Sequence, residues 1–206
     1  MLGKFIMALM LCLGSPFAQA QDAPARRVLF LCTGNYFRSV YAESYFNALA
    51  ERNQRLSPQD PLRKKVRWVA ESRGLDVAQL SPAMRASRVS RYTLERLKQR
   101  NLPLAVDPAT RLPLRLPTQV SLADLETFDR VVALHGPTHR PMLRAIISRG
   151  GPGAKDPEAE PGRVVYWDIP DVVNTPAIPL SGPQQADRIL DAIEAQVERL
   201  FASLGD

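Results

Sequence analysis

Between Arg27 and Arg55 the hydrophobic period of the chain changes once, and that change restricts the folds open to it. RVLFLC, residues 27–32, is a short continuous apolar run closed by the turn signal Gly34-Asn35, and it predicts a buried strand. From about residue 38 to residue 55 the pattern turns helical, with Tyr41, Tyr45, Ala48 and Leu49 along one face. The alternation then repeats. Residues 66–72 (VRWVAES), 130–134 (RVVAL) and 164–167 (VVYW) read as further strands. Helical spacing returns over 89–99, where Tyr92, Leu94 and Leu97 are candidate core residues, and over 141–148. It returns a last time over 184–204, with apolar residues at 189, 190, 193, 197, 200 and 201. Most of the 18 prolines fall between Pro103 and Pro183, so elements there are expected to be short, with a Gly/Pro/charge-rich surface loop over 150–162. Strands alternating with helices imply an α/β domain: a three-layer sandwich with a central, mostly four-stranded parallel sheet and helices on both faces. Ligands bind such sheets beyond the carboxyl ends of the strands, and Cys32 ends the first one.

Residues 1–20 stand apart from this pattern. They carry one basic residue, Lys4, an apolar run over 5–13, and small and polar residues ending Ala18-Gln19-Ala20. That order predicts a cleaved signal peptide and an exported chain, periplasmic or secreted, starting at Gln21. The apolar run falls short of the roughly 20 residues a membrane span needs. A lipoprotein signal at Cys12 is disfavoured by Leu11, which stands where a small residue is needed. The remaining residues, 21–206, suit one domain.

The net charge of +6 and the pI of 9.7 do not carry a nucleic-acid reading. Apart from Arg63-Lys64-Lys65 and the stretch 85–100, the basic residues are scattered and lack interleaved aromatics. A mild positive field still draws anionic substrates toward a cleft. Cysteine usage is more informative. Of the two cysteines, Cys12 leaves with the signal peptide, so Cys32 has no partner for an intramolecular disulfide. A lone thiol in an oxidising compartment has to be buried or used.

The segment Cys32-Thr33-Gly34-Asn35-Tyr36-Phe37-Arg38-Ser39 has the composition to use it. Gly and Asn tolerate left-handed backbone, so the turn can aim successive N–H groups inward and cap the nest with a helix N-terminus. Arg38 adds a planar fork matched to two oxygens of a phosphate-like anion. Positive surroundings of that kind favour a thiolate over a thiol. Nucleophile and oxyanion cradle thus come from one eight-residue stretch.

VLFLCTGNYFRSVYAESYF resembles the signature of the low-molecular-weight protein tyrosine phosphatases, V-L-F-V-C-x-G-N-x-x-R-S-x-x-A-E. The likeness extends more loosely over residues 27–204. Ala70-Glu71-Ser72-Arg73-Gly74 resembles the family's second-strand S-x-G segment, and residues 164–171 the strand leading to its late acidic loop. The resemblance implies a phosphomonoester hydrolase, a protein-tyrosine or aryl phosphatase working through a cysteinyl phosphate without cofactor. Its substrates would be phosphorylated protein or a small aryl phosphate. Cys32 is then the nucleophile, Arg38 the phosphate clamp, and Thr33, Gly34, Asn35, Tyr36, Phe37 and Ser39 the loop around the substrate. Asn35 and Ser72 would hold the loop in its strained shape, and Ser39 would donate to the thiolate.

The general acid is expected in Tyr166-Trp167-Asp168-Ile169-Pro170-Asp171. Asp171 matches best, with Val172 where the family has Pro, and Asp168 is the fallback. Phe37 stands where many members have a second cysteine. His135 and His139 invite a metal, but Gly136-Pro137 argues against one helical face and no third ligand is in view. Two other readings share the loop: arsenate reductase fed by an external small thiol, and a non-catalytic oxyanion-binding module.

Overall fold

Four strands form one all-parallel sheet: β1 (Arg26–Cys32), β2 (Trp68–Gly74), β3 (Arg130–Ala133) and β4 (Val164–Tyr166), in the spatial order β2-β1-β3-β4. The computed structural model describes residues 25–55, 66–102, 104–153, 155–171 and 182–204. The signal peptide expected over 1–20 lies outside them. Six α-helices surround the sheet among the described residues: α1 (Arg38–Arg55), α2 (Pro82–Ser87), α3 (Arg91–Gln99), α4 (Leu122–Thr127), α5 (Gly136–Arg149) and α6 (Gly182–Ser203). None of them is long and apolar enough to cross a membrane.

The period-2 geometry of a strand explains the layers. Val28 and Phe30 of β1 point to one face, where they pack with Tyr41 and Phe46 of α1, Leu97 of α3 and Ile189 and Ile193 of α6. Leu29 and Leu31 point to the other and meet Leu125 of α4, Val131 and Ala133 of β3 and Leu143 of α5. All four β1 side chains are fully buried, which is why this strand reads as an unbroken apolar run. The expected three-layer α/β architecture is the one observed.

Several boundaries differ from expectation. β2 sits two residues later than the apolar pattern suggested, with Val66 exposed and Trp68 the first buried side chain. Leu94, expected in the core, lines an outer groove with Leu97, Lys98 and Leu102, while Thr93 and Arg96 take buried positions on α3. The proline-rich stretch still holds α4, started by a reciprocal capping box between Ser121 and Asp124. α2 begins at a Ser81 cap with Pro82 in its first turn. α5 starts five residues earlier than expected, because Gly136-Pro137 begins the helix instead of breaking it: a proline in the first turn has no hydrogen bond to lose.

Arg96 is buried among three carboxylates of α6: Asp187 at 3.1 Å, Asp191 at 2.6 Å and Glu194 at 3.2 Å. Glu194 on α6, itself 8% exposed, accepts from Tyr41 Oη at 2.5 Å, from Arg96 Nη1 at 3.2 Å and from Arg100 Nη2 at 2.5 Å. One carboxylate thereby joins α1, α3 and α6. Burial, and then the hydrogen bond to Glu194, push the Tyr41 hydroxyl well above the ordinary tyrosine range, so it stays a donor. Removing one member of such a cluster strands the others in the core. Glu194→Ala is expected to cost about 3–5 kcal/mol in urea unfolding. Glu194→Gln, which keeps an acceptor for Tyr41, should cost less.

Candidate active site

Cys32 is the last residue of β1, at the carboxyl edge where the chain departs to β2 on one side and β3 on the other. That is the switch point at which open α/β sheets bind ligands. The loop that follows is set by Asn35, which adopts φ +52°. Its fully buried side chain is saturated. Nδ2 donates to Ser72 Oγ at 2.8 Å and to Ser39 Oγ at 3.1 Å, while Oδ1 accepts from the Thr118 amide at 3.0 Å and from Arg115 Nη2 at 3.3 Å. Ser72 Oγ donates to Glu43 at 2.6 Å and accepts from Arg115 Nη2 at 2.9 Å, and Arg115 Nη1 closes the ring on Glu43 at 2.7 Å. The Asn35 and Ser72 side chains therefore meet beneath the loop. Arg115, Thr118 and Glu43 complete the support and were not identified as site residues in the sequence. Glu43 stands in the Ala-Glu of the signature, but Arg115 lies in the proline-rich stretch with no local pattern to mark it.

Asn35 and Ser39, expected among substrate-binding residues, turn their side chains away from the cleft and are fully buried. Ser39 Oγ already accepts from Asn35, and it lies 3.0 Å from Cys32 Sγ. Its single hydrogen is thus available to the sulfur. Gly34 sits against Leu80: a Cβ there would stand 2.6 Å from Leu80 Cδ2, so a larger residue would displace the end of that side chain.

Cys32, Thr33, Gly34, Tyr36, Phe37 and Arg38 face a cleft of about 440 Å³, which Leu80, Met84, Ser90, Tyr92 and Asp171 also line. Arg38 is 2% exposed and is aimed by two contacts: Nη1 donates to the Ile169 carbonyl and Nη2 to Asp171 Oδ2, both at 2.8 Å. The acidic segment is fixed in turn by amides of Trp167 and Ile169 on the Ala133 and Leu134 carbonyls. Of the two aspartates, Asp171 lines the cleft. The Asp168 side chain is 88% exposed and lies 3.6 Å from His135 Nε2, outside the cleft lining.

The early start of α5 places His135 and His139 one turn apart. The fully buried His139 accepts the His135 amide at Nδ1 (3.0 Å), so its proton sits on Nε2, 3.4 Å from Thr33 Oγ1. Burial first, and the nearby Arg38 charge second, push His139 down to about 3, so the ring is neutral where the protein works. No cluster of three metal-ligating side chains occurs among the described residues. The Tyr36 and Phe37 carbonyls accept from the Ser90 amide (2.9 Å) and Thr93 Oγ1 (3.1 Å), tying the start of α3 to the loop.

No family model and no curated protein matches the chain. Solved structures do. YfkJ from Bacillus subtilis aligns with a TM-score of 0.60 at 21% identity, covering 88% of this chain and 96% of that one. A low-molecular-weight protein tyrosine phosphatase from T. tengcongensis gives 0.56 at 19% identity, with 87% and 99% covered. The YwlE arginine phosphatase from Geobacillus stearothermophilus gives 0.53 at 21%, with 87% and 92% covered. At these identities the shared property is the fold, and it is the fold of the low-molecular-weight protein tyrosine phosphatases.

Proposed function

We propose that the protein is a phosphomonoester hydrolase that uses Cys32 as nucleophile and prefers aryl phosphates, phosphotyrosine among them. The observation that carries this reading is the convergence of Cys32, Arg38 and Asp171 on one cleft, with Ser39 Oγ 3.0 Å from the sulfur. In the first step the Cys32 thiolate attacks phosphorus, the P–O bond to the leaving group breaks, and Asp171 gives its proton to the departing oxygen. The loop amides, the N-terminus of α1 and the Arg38 fork hold the equatorial oxygens, where charge accumulates. In the second step water attacks the cysteinyl phosphate, Asp171 takes a proton from it, and the sulfur leaves as a thiolate that Ser39 hydrogen-bonds.

A phosphate dianion in the cradle competes with Asp171 for the same guanidinium. Substrate binding therefore moves Arg38 off the carboxylate it otherwise holds at 2.8 Å and lets Asp171 turn to the leaving oxygen. The walls supply the aryl preference: Tyr36, Phe37, Leu80, Met84 and Tyr92 present apolar and aromatic surface to a planar leaving group. The solved structures on this fold include both a tyrosine and an arginine phosphatase, so the wall chemistry, and not the fold, supports the aryl assignment. With Cys12 in the expected signal peptide, Cys32 has no second cysteine for a disulfide relay, which supports direct hydrolysis. The leader-like residues 1–20 support action outside the cytoplasm.

Three outcomes follow for the purified protein. Cys32→Ser should abolish hydrolysis of 4-nitrophenyl phosphate while calorimetry still detects inorganic phosphate, since the cradle and Arg38 remain; retained turnover would overturn the mechanism. Asp171→Asn should slow phenyl phosphate by about 10²-fold or more, and 4-nitrophenyl phosphate much less, because a good leaving group needs little proton donation. The same variant should bind phosphate at least as tightly as the parent, with Arg38 released from its carboxylate. Selective loss with phenyl phosphate at Asp168→Asn instead would move the acid to that residue. Arg115→Met, which removes the cation under Asn35, Ser72 and Glu43, should lower kcat about tenfold at nearly unchanged KM, with Arg115→Lys intermediate, since lysine keeps the charge and loses the fork.

A further inference from the structure

The cleft holds a second set of hydrogen-bond donors that the hydrolytic chemistry leaves unused. α3 begins at Ser90, whose hydroxyl does not cap its own helix. Ser90 is 5% exposed, and its side chain lines the cleft without a hydrogen-bond partner among the described residues. Its oxygen opens onto the cleft, whereas a serine at this position normally takes the amide two or three residues on. Here the first-turn amides of Arg91, Tyr92 and Thr93 have no acceptor either, because Leu94 is the first residue whose N–H returns to the helix, bonding the Ser90 carbonyl at 3.1 Å. Arg91 lays its guanidinium 4.8 Å from the centroid of the Tyr92 ring and donates to the Tyr92 hydroxyl at 3.0 Å, adding a full positive charge at the rim. Two bonds from this turn to the loop, Ser90 N to the Tyr36 carbonyl and Thr93 Oγ1 to the Phe37 carbonyl, hold it beside the cradle.

From this geometry we propose that the start of α3 is a second anion subsite of the same cleft, and that the preferred substrate carries a carboxylate or second phosphate on its leaving group. The inference rests on the phosphatase reading and refines it, from aryl phosphates in general to acidic ones. A carboxylate seated there accepts from Ser90 Oγ and the open amides, is favoured by the positive end of the helix, and meets Arg91 at the solvent side. An acidic residue beside phosphotyrosine and a small carboxylated aryl phosphate offer the same group.

The test uses binding, so that it does not depend on turnover. Calorimetric affinities of the mature protein are compared for phenylphosphonate and for its meta-carboxy, para-carboxy and para-carboxymethyl derivatives. At least one derivative should bind fivefold or more tighter than phenylphosphonate. That gain should fall at least threefold in Ser90→Ala and vanish in Ser90→Asp, whose carboxylate caps the helix and repels the ligand. A gain that persists in both variants, or no gain for any derivative, overturns the subsite while leaving the cradle standing. Failure of phenylphosphonate itself to bind would instead remove the oxyanion cradle, and the phosphatase reading with it. Kinetics on a phosphotyrosine peptide with an acidic neighbour, against the same peptide with alanine there, then separate a peptide source of the anion from a small-molecule one.

Discussion

A single left-handed backbone position, Asn35, sets the shape of the site. At φ +52° the chain turns sharply enough for Cys32, the following amides and Arg38 to face one point. Asparagine tolerates that conformation better than most residues, but tolerance alone does not populate it. What holds it is the complete satisfaction of its amide by Ser72, Ser39, Thr118 and Arg115 in a fully buried setting. Partial satisfaction would leave a buried polar group to destabilise the same turn. Ser39 links this support to Cys32, because its hydroxyl accepts from Asn35 and lies 3.0 Å from the sulfur.

The cleft sorts charge by distance from Cys32. Arg38, almost completely buried, supplies a permanent cation at the base. His139 lies near it yet stays neutral, since burial and that same cation oppose its protonation. Neutral histidine beside the loop lets Thr33 be held by a hydrogen bond without adding a second charge whose strength varies with pH. Away from Arg38 the lining becomes aromatic and apolar, with Tyr36, Phe37, Leu80, Met84 and Tyr92, and includes Ser90 at the start of α3. The cleft surface is therefore graded from its base to its mouth.

Much of this was legible in the sequence where local signals were strong. The four strands, the first and last long helices, and the placement of Cys32 at a strand end follow from apolar runs and periodicity. The nucleophile loop and Arg38 follow from eight adjacent residues. Elements signalled by capping chemistry escaped hydrophobic periodicity: Ser121 to Asp124 contains the box that starts α4, and Gly136-Pro137 reads as a breaker unless its place in a first turn is known. Leu94 was expected in the core and lines an outer groove instead, while Arg96 is buried where Asp187, Asp191 and Glu194 of another helix meet it, a fact no window of the sequence around α3 contains. Arg115 and Ser90 escaped for the same reason, since their significance lies in partners, or unused donors, that only the tertiary structure brings to the loop.

The support beneath Asn35 also orders events during folding. Its partners Ser72, Arg115 and Thr118 lie 37, 80 and 83 residues along the chain. The strand and helix flanking the loop are local and can form early, but the loop locks only when β2 and the segment after α3 have docked, and contacts of such separation form late. A chain caught between those stages presents Cys32 as an ordinary thiol, without its cradle. Wherever folding takes place in an oxidising medium, the speed of the last docking step decides how many molecules keep the sulfur reduced.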